Sequence, residues 1–110
     1  MPSERGGPDR TDDGRYVIVR GRRWRATDPD IPEEAAAALR SHLMAARRAV
    51  REAKRTADGD ALRRARERVR QAKVALGERG DPWWEQSAPA PARARRWREG
   101  LAWFDRHDGS

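Results

Sequence analysis

Arg47, Arg48, Arg51, Lys54 and Arg55 crowd one short stretch of chain, and Arg63, Arg64, Arg66, Arg68, Arg70 and Lys73 line a second just behind it. Between residues 33 and 77 twelve basic side chains face six acids, so this span holds +6 of the chain's net +7. Guanidinium groups grip phosphates through paired hydrogen bonds, and a rigid row of them attracts polyanions, nucleic acid above all. Contact with about six phosphates would make affinity fall steeply with salt. Arg outnumbers Lys twenty-three to two, a bias that codon usage in a GC-rich genome produces unaided, so net charge is the firmer ground. The bland counterpart is a solvated helix face neutralised by neighbours such as Glu52–Arg48 and Glu67–Arg63 or Arg70.

A second basic cluster, Arg20-Gly-Arg-Arg-Trp-Arg25, carries Arg20, Arg22, Arg23 and Arg25 around one aromatic. Basic ribbons with an aromatic enter grooves or stack on unpaired bases. Alternation puts Trp24 on the apolar side with Val19, however, which favours a core role for the indole. Trp83 and Trp84, with Trp97 and Trp103 further on, are candidates for partner binding, because an exposed Trp makes an interface hot spot. The competing role is to roof a core poor in bulky side chains, since each Trp buries on the order of 200 Å².

Catalysis finds little support. His42 lies near the edge of an apolar stripe, His107 lies in the tail, and Ser41 cannot share a helical face with His42. No phosphate-cradling loop, carboxylate pair in an apolar setting or metal-ligand spacing occurs, so no catalytic residue, metal or cofactor is expected. Cysteine is absent, which fits a reducing cytoplasm. No apolar run approaches the ~18–20 residues that span a bilayer, and the N-terminus lacks a signal-peptide core. Attachment to an anionic membrane surface would want large aromatics on an exposed apolar helical face, which the basic stretches lack.

The elements that must position these groups follow from spacing. Residues 1–14 read as a disordered tail. Residues 15–26 read as a β-hairpin turning at Gly21-Arg22, with Val19 opposite Trp24 and Val17 opposite Ala26, and with Val17, Val19, Trp24 and Ala26 on one face. Asp28 or Asp30 is a candidate cap for a helix over 32–56, whose stripe is Ala36, Leu39, Leu43, Ala46, Val50, Ala53 and Ala57. Asp58-Gly59-Asp60 breaks it, and a second helix over 60–76 carries Leu62, Ala65, Val69, Ala72 and Leu76 until Gly77 stops it. Antiparallel pairing would bring Arg51, Arg55, Arg63 and Arg66 together near the tip. A Trp-Trp turn over 77–85 closes a single domain spanning 15–85. Residues 86–110 read as a Pro-rich linker and a weak amphipathic helix, about 92–106, with Trp97, Leu101 and Phe104 on one side and Gly100 weakening it.

Three strings, Arg15–Pro32, Leu43–Val50 and Ala72–Glu85, resemble a group of short actinobacterial proteins often labelled "biopolymer transporter Tol". The likeness covers about residues 15–85. The label implies a membrane-anchored component of envelope transport, whereas no anchor is readable in this chain, and no catalytic role follows from the resemblance.

The sequence thus predicts a mainly α domain: an antiparallel two-helix hairpin with an N-terminal β-hairpin packed on it and a short C-terminal helix. Its leading functional reading is a non-enzymatic cytoplasmic protein that binds nucleic acid through backbone phosphates. The residues for that role are Arg20, Arg22, Arg23, Arg25, Arg47, Arg48, Arg51, Lys54, Arg55, Arg63, Arg66, Arg70 and Lys73. The alternative is a protein-interaction module or small homodimer built on Trp83, Trp84, Trp97 and Trp103.

Overall fold

Alanine and leucine recurring at three- and four-residue spacing build two antiparallel helices, α1 (Glu33–Arg55) and α2 (Gly59–Ala75). In the computed structural model, which describes residues 9–84 and 90–108, each lies within a residue of its expected bounds at both ends. The buried seam is Ala35, Ala36, Leu39, Leu43, Ala46 and Ala53 from α1 against Ala65, Ala72 and Ala75 from α2. Small side chains let the two backbones approach closely. Neither Asp28 nor Asp30 caps α1, whose N-cap is Pro32 without a side-chain hydrogen bond. Asp28 is buried instead, accepting from the Asp30 amide at 2.9 Å and donating its own amide to the Leu76 carbonyl at 2.9 Å. Asp58 does cap α2, accepting from the Ala61 amide at 3.0 Å.

Both helices stop in the same way. Ala57 and Gly77 adopt positive φ (54° and 78°), and paired amide-to-carbonyl bonds close each end as a Schellman motif. Ala57 therefore leaves the stripe it was expected to extend, and Gly59 opens α2 rather than ending α1. Left-handed backbone suits glycine and burdens alanine. Ala57→Gly is accordingly expected to stabilise the fold by about 1 kcal/mol, read as a higher urea midpoint.

The N-terminal sheet has three antiparallel strands in the order β1 (Asp9–Arg10), β2 (Tyr16–Val19) and β3 (Arg22–Arg25). Residues 9–14, expected in a disordered tail, form β1 and the following turn, where the Asp13 carboxylate accepts from Thr11 Oγ1 and the Arg15 amide. Residues 1–8 of that tail lie outside the described residues. The hairpin turns at Arg20-Gly21, not Gly21-Arg22, with positive φ at both residues as a type I′ turn requires. Val17 consequently faces Trp24 and Val19 faces Arg22, two residues from the expected register. An even slip preserves the faces, so Val17, Val19, Trp24 and Ala26 still share one side.

The sheet packs against the helical layer along one border, formed by the turn that follows α2. Trp83 Nε1 donates to the Ala26 carbonyl at 2.9 Å, Thr27 Oγ1 to Glu78 Oε2 at 2.7 Å, and Arg25 Nη1 to the Gly80 carbonyl at 2.7 Å. Trp84 packs edge-to-face on Tyr16, ring centroids 5.4 Å apart.

A third helix, α3 (Ala90–Asp108), packs chiefly on α2 and less extensively on α1. It is longer than the 92–106 expected: of the linker expected over 87–91, residues 87–89 lie outside the described residues and Ala90 and Pro91 belong to α3. Trp97, Leu101 and Phe104 turn inward, and Phe104 is fully buried. Gly100 sits where α3 crosses α2: a Cβ there would lie 2.3 Å from the Cβ of Ala75. Its role is close approach between helices, which outweighs its poor helix propensity. Gly100→Ala should thus lower stability by roughly 1–3 kcal/mol despite the ~1 kcal/mol that alanine adds to an isolated helix.

Candidate nucleic-acid interface

Because the sheet is joined to the helices at one border, its apolar face and the helical surface enclose a groove of about 580 Å³. Val17, Val19 and Trp24 line it from the sheet, Arg40 and Arg47 from α1, and Lys73 from α2, with Arg10 and Arg25 at its margins. Glu78 is its one acid and already accepts from Thr27. Trp24, expected in the core, is 43% exposed. Long cationic side chains stand opposite it, so the sheet does not close down, and only Ala26 of the apolar face is fully buried. The Arg22 guanidinium carbon lies 4.8 Å from the indole centroid and Lys73 Nζ lies 5.4 Å from it, both within cation–π range.

Burial holds the Lys73 ammonium below the ordinary lysine range. Glu78 pulls in the other direction, while Arg79 and Arg47 add to the depression. A half-buried cation repelled by neighbouring cations is a charge that an arriving anion would stabilise.

Arg47 also opens onto a second groove of about 500 Å³ between α1 and α2, lined by Arg47, Val50, Arg51, Arg66, Val69 and Arg79. No acid lines it, and among the described residues none of these four arginines forms an ion pair. The two grooves adjoin at Arg47, so basic side chains line a track from Trp24 to the α1–α2 face with Arg47 at its junction.

Other sequence candidates lie elsewhere. Arg55 pairs with Glu52 and Arg63 with Asp60, so of the four arginines expected to converge near the tip only Arg51 and Arg66 share a groove. Arg70 pairs with Glu67 at 2.6 Å, and bonds from Arg70 and Gln71 hold the Glu67 carboxyl below the usual range. Arg40 pairs with Glu33 at 2.7 Å across two turns of α1, the pairs of Arg55, Arg63 and Arg70 are i,i+3, and Arg48 is exposed rather than joined to Glu52. Lys54 borders a shallow recess at the tip, Arg20 occupies the exposed turn, and Arg23 lies over Tyr16 on the far side of the sheet. Arg10, Arg40 and Arg79 line the track although they were not singled out from sequence. Arg40 had a readable signal, standing seven residues before Arg47 on the same helical face.

The remaining tryptophans are engaged within the fold. Trp83 bonds to Ala26, and Trp84 rests against Tyr16 and Trp83 with Arg15 and Arg25 nearby. Trp97 and Trp103 are half-buried against the core. His42 stacks on Phe104 at 4.1 Å, and His107 stacks on Trp103 at 3.8 Å. Among the described residues, no group of three His, Asp or Glu side chains converges to hold a metal ion. No helix among them is long and apolar enough to cross a membrane. No family model matches the chain, and no curated protein or solved structure is detectably similar to it.

Proposed function

We propose that this is a non-enzymatic cytoplasmic protein that binds nucleic acid through backbone phosphates, without strong sequence preference. The carrying observation is the row Arg47, Arg51, Arg66 and Arg79: four guanidinium groups bordering one groove with no carboxylate paired to them among the described residues. Elsewhere on the helices carboxylates occupy Arg40, Arg55, Arg63 and Arg70, whereas an external anion would meet no such competitor in this groove. No recognition-helix motif of a known DNA-reading class is readable in the sequence, which favours phosphate rather than base edges as the target.

Affinity for a short duplex, measured by fluorescence anisotropy between about 50 and 200 mM salt, tests the reading. Four phosphate contacts give a slope of log K against log salt of roughly −3.6, a loss of about a hundredfold over that range. No binding at the low-salt end would end the proposal. The interaction reading draws less support, because Trp83, Trp84, Trp97 and Trp103 each spend much of their surface on the protein itself.

A further inference from the structure

Trp24 is an aromatic face standing in a basic groove, and its setting differs from that of the other four tryptophans. It is the most exposed large hydrophobic side chain beside Met44, yet three cations that line or border the same groove (Arg22, Arg47 and Lys73) surround it. Exposure of an indole costs stability, and the sequence pattern itself points this side chain inward. Across the groove stand Arg47 and Lys73, with Arg40 paired to Glu33 beside them. An apolar peptide would have to bury those charges, whereas a nucleotide satisfies both chemistries at once: the base covers the indole and the phosphate meets the cations.

We propose that Trp24 is a stacking platform for an unpaired base, so that the track prefers single-stranded to double-stranded nucleic acid. The inference rests on the phosphate-binding reading above and adds the strand preference to it. In the free protein the exposed Arg22 guanidinium lies over the indole, where its flat cation occupies the place a base would take. On binding, the base displaces it and the guanidinium turns to the adjacent phosphate. Lys73, half-buried beside the ring, stays and contributes charge. The backbone then passes Arg47 into the groove of Arg51, Arg66 and Arg79. In a duplex every base is already stacked on its neighbours, so Trp24 has nothing to offer it.

The test compares an oligothymidine of about 20 nucleotides with the same strand annealed to its complement, by anisotropy at low salt, using Trp24→Leu and Trp24→Phe. Leucine keeps apolar bulk beside Val17 but removes the ring, and phenylalanine restores a ring. Thermal melts of each variant establish that it is folded at the assay temperature. Should the leucine variant melt below it, Arg22→Gln and Trp24→Phe decide by the same comparison, since glutamine removes the displaced cation without touching the hydrophobic face. The expected result is a loss of about tenfold on the single strand with leucine, recovery to within about threefold with phenylalanine, and less than a twofold change on the duplex. In the fallback pair, Arg22→Gln loses the phosphate contact made beside the stacked base and should weaken the single strand by about tenfold and the duplex by less than twofold, while Trp24→Phe should keep the single-strand preference. Equal effects on both ligands, or none on the single strand, would overturn the platform while leaving phosphate binding intact. Failure of the unmodified protein to bind either ligand would instead remove the reading on which it rests.

Discussion

Exchanging both Arg51 and Arg66 for glutamate should weaken binding of a nucleic-acid duplex on the order of 50-fold at about 100 mM salt. At that concentration each phosphate contact, through the counterion it releases, contributes a little under one power of ten to the association constant. Two lost contacts account for most of the expected effect, and the introduced carboxylates add repulsion in a groove that no native acid lines. The slope of log K against log salt should also flatten by about two. Both arginines are exposed and outside the core, so the double variant should fold normally. The control is Arg48→Glu with Arg64→Glu. It changes net charge equally, but neither residue lines a groove and both are exposed. A few-fold loss there against 50-fold at the track locates the site. Equal losses would mean that overall charge, not this row, governs attraction.

Phe104→Ala should be the most damaging single change to stability, by roughly 3–5 kcal/mol. The ring is 1% exposed, stacks on His42 of α1, meets Trp103 edge-on at 5.0 Å, and belongs to the same buried cluster as Leu39, Leu43 and Leu76. Much of the seam is alanine, which buries little area, so a few large side chains provide most of the core. A chain of this length has on the order of 5–15 kcal/mol in total, so the loss should bring the melting transition close to room temperature or below it. Urea titration followed by circular dichroism measures this directly. A loss under about 1 kcal/mol would mean that α3 contributes little to the core.

Much of the helical architecture was legible because it is local. The three-four spacing of Ala and Leu, the Asp58 cap and the Gly77 stop are each set within a few residues, and α1 and α2 end within one residue of where those signals put them. Tertiary effects were not legible. Gly100 looks like a flaw in a helix until Ala75 is seen beneath it. Arg10 looks like tail until β1 pairs with β2. The hairpin turn was expected with Gly21 in first place, whereas the type I′ geometry that matches strand twist puts Gly21 second. Of the residues that the charge pattern singled out, Arg47, Arg51, Arg66 and Lys73 border the candidate track. The pattern could not distinguish arginines with a carboxylate three residues away from those without, until side-chain geometry paired Arg55, Arg63 and Arg70. Trp24 was misplaced because alternation reports which side of a strand a residue occupies, not whether anything covers that side.

No strand residue belongs to the main buried cluster, whose members come from the three helices and the Ile31 and Leu76 positions flanking them. The ribbon is therefore a lean-to against a self-supporting stack, and the two layers need not melt together. Loss of the ribbon would carry Trp24 away while Arg47, Arg51 and Arg66 kept their places on standing helices. The two halves of the proposed site are in that sense mechanically separable in a chain of only 110 residues.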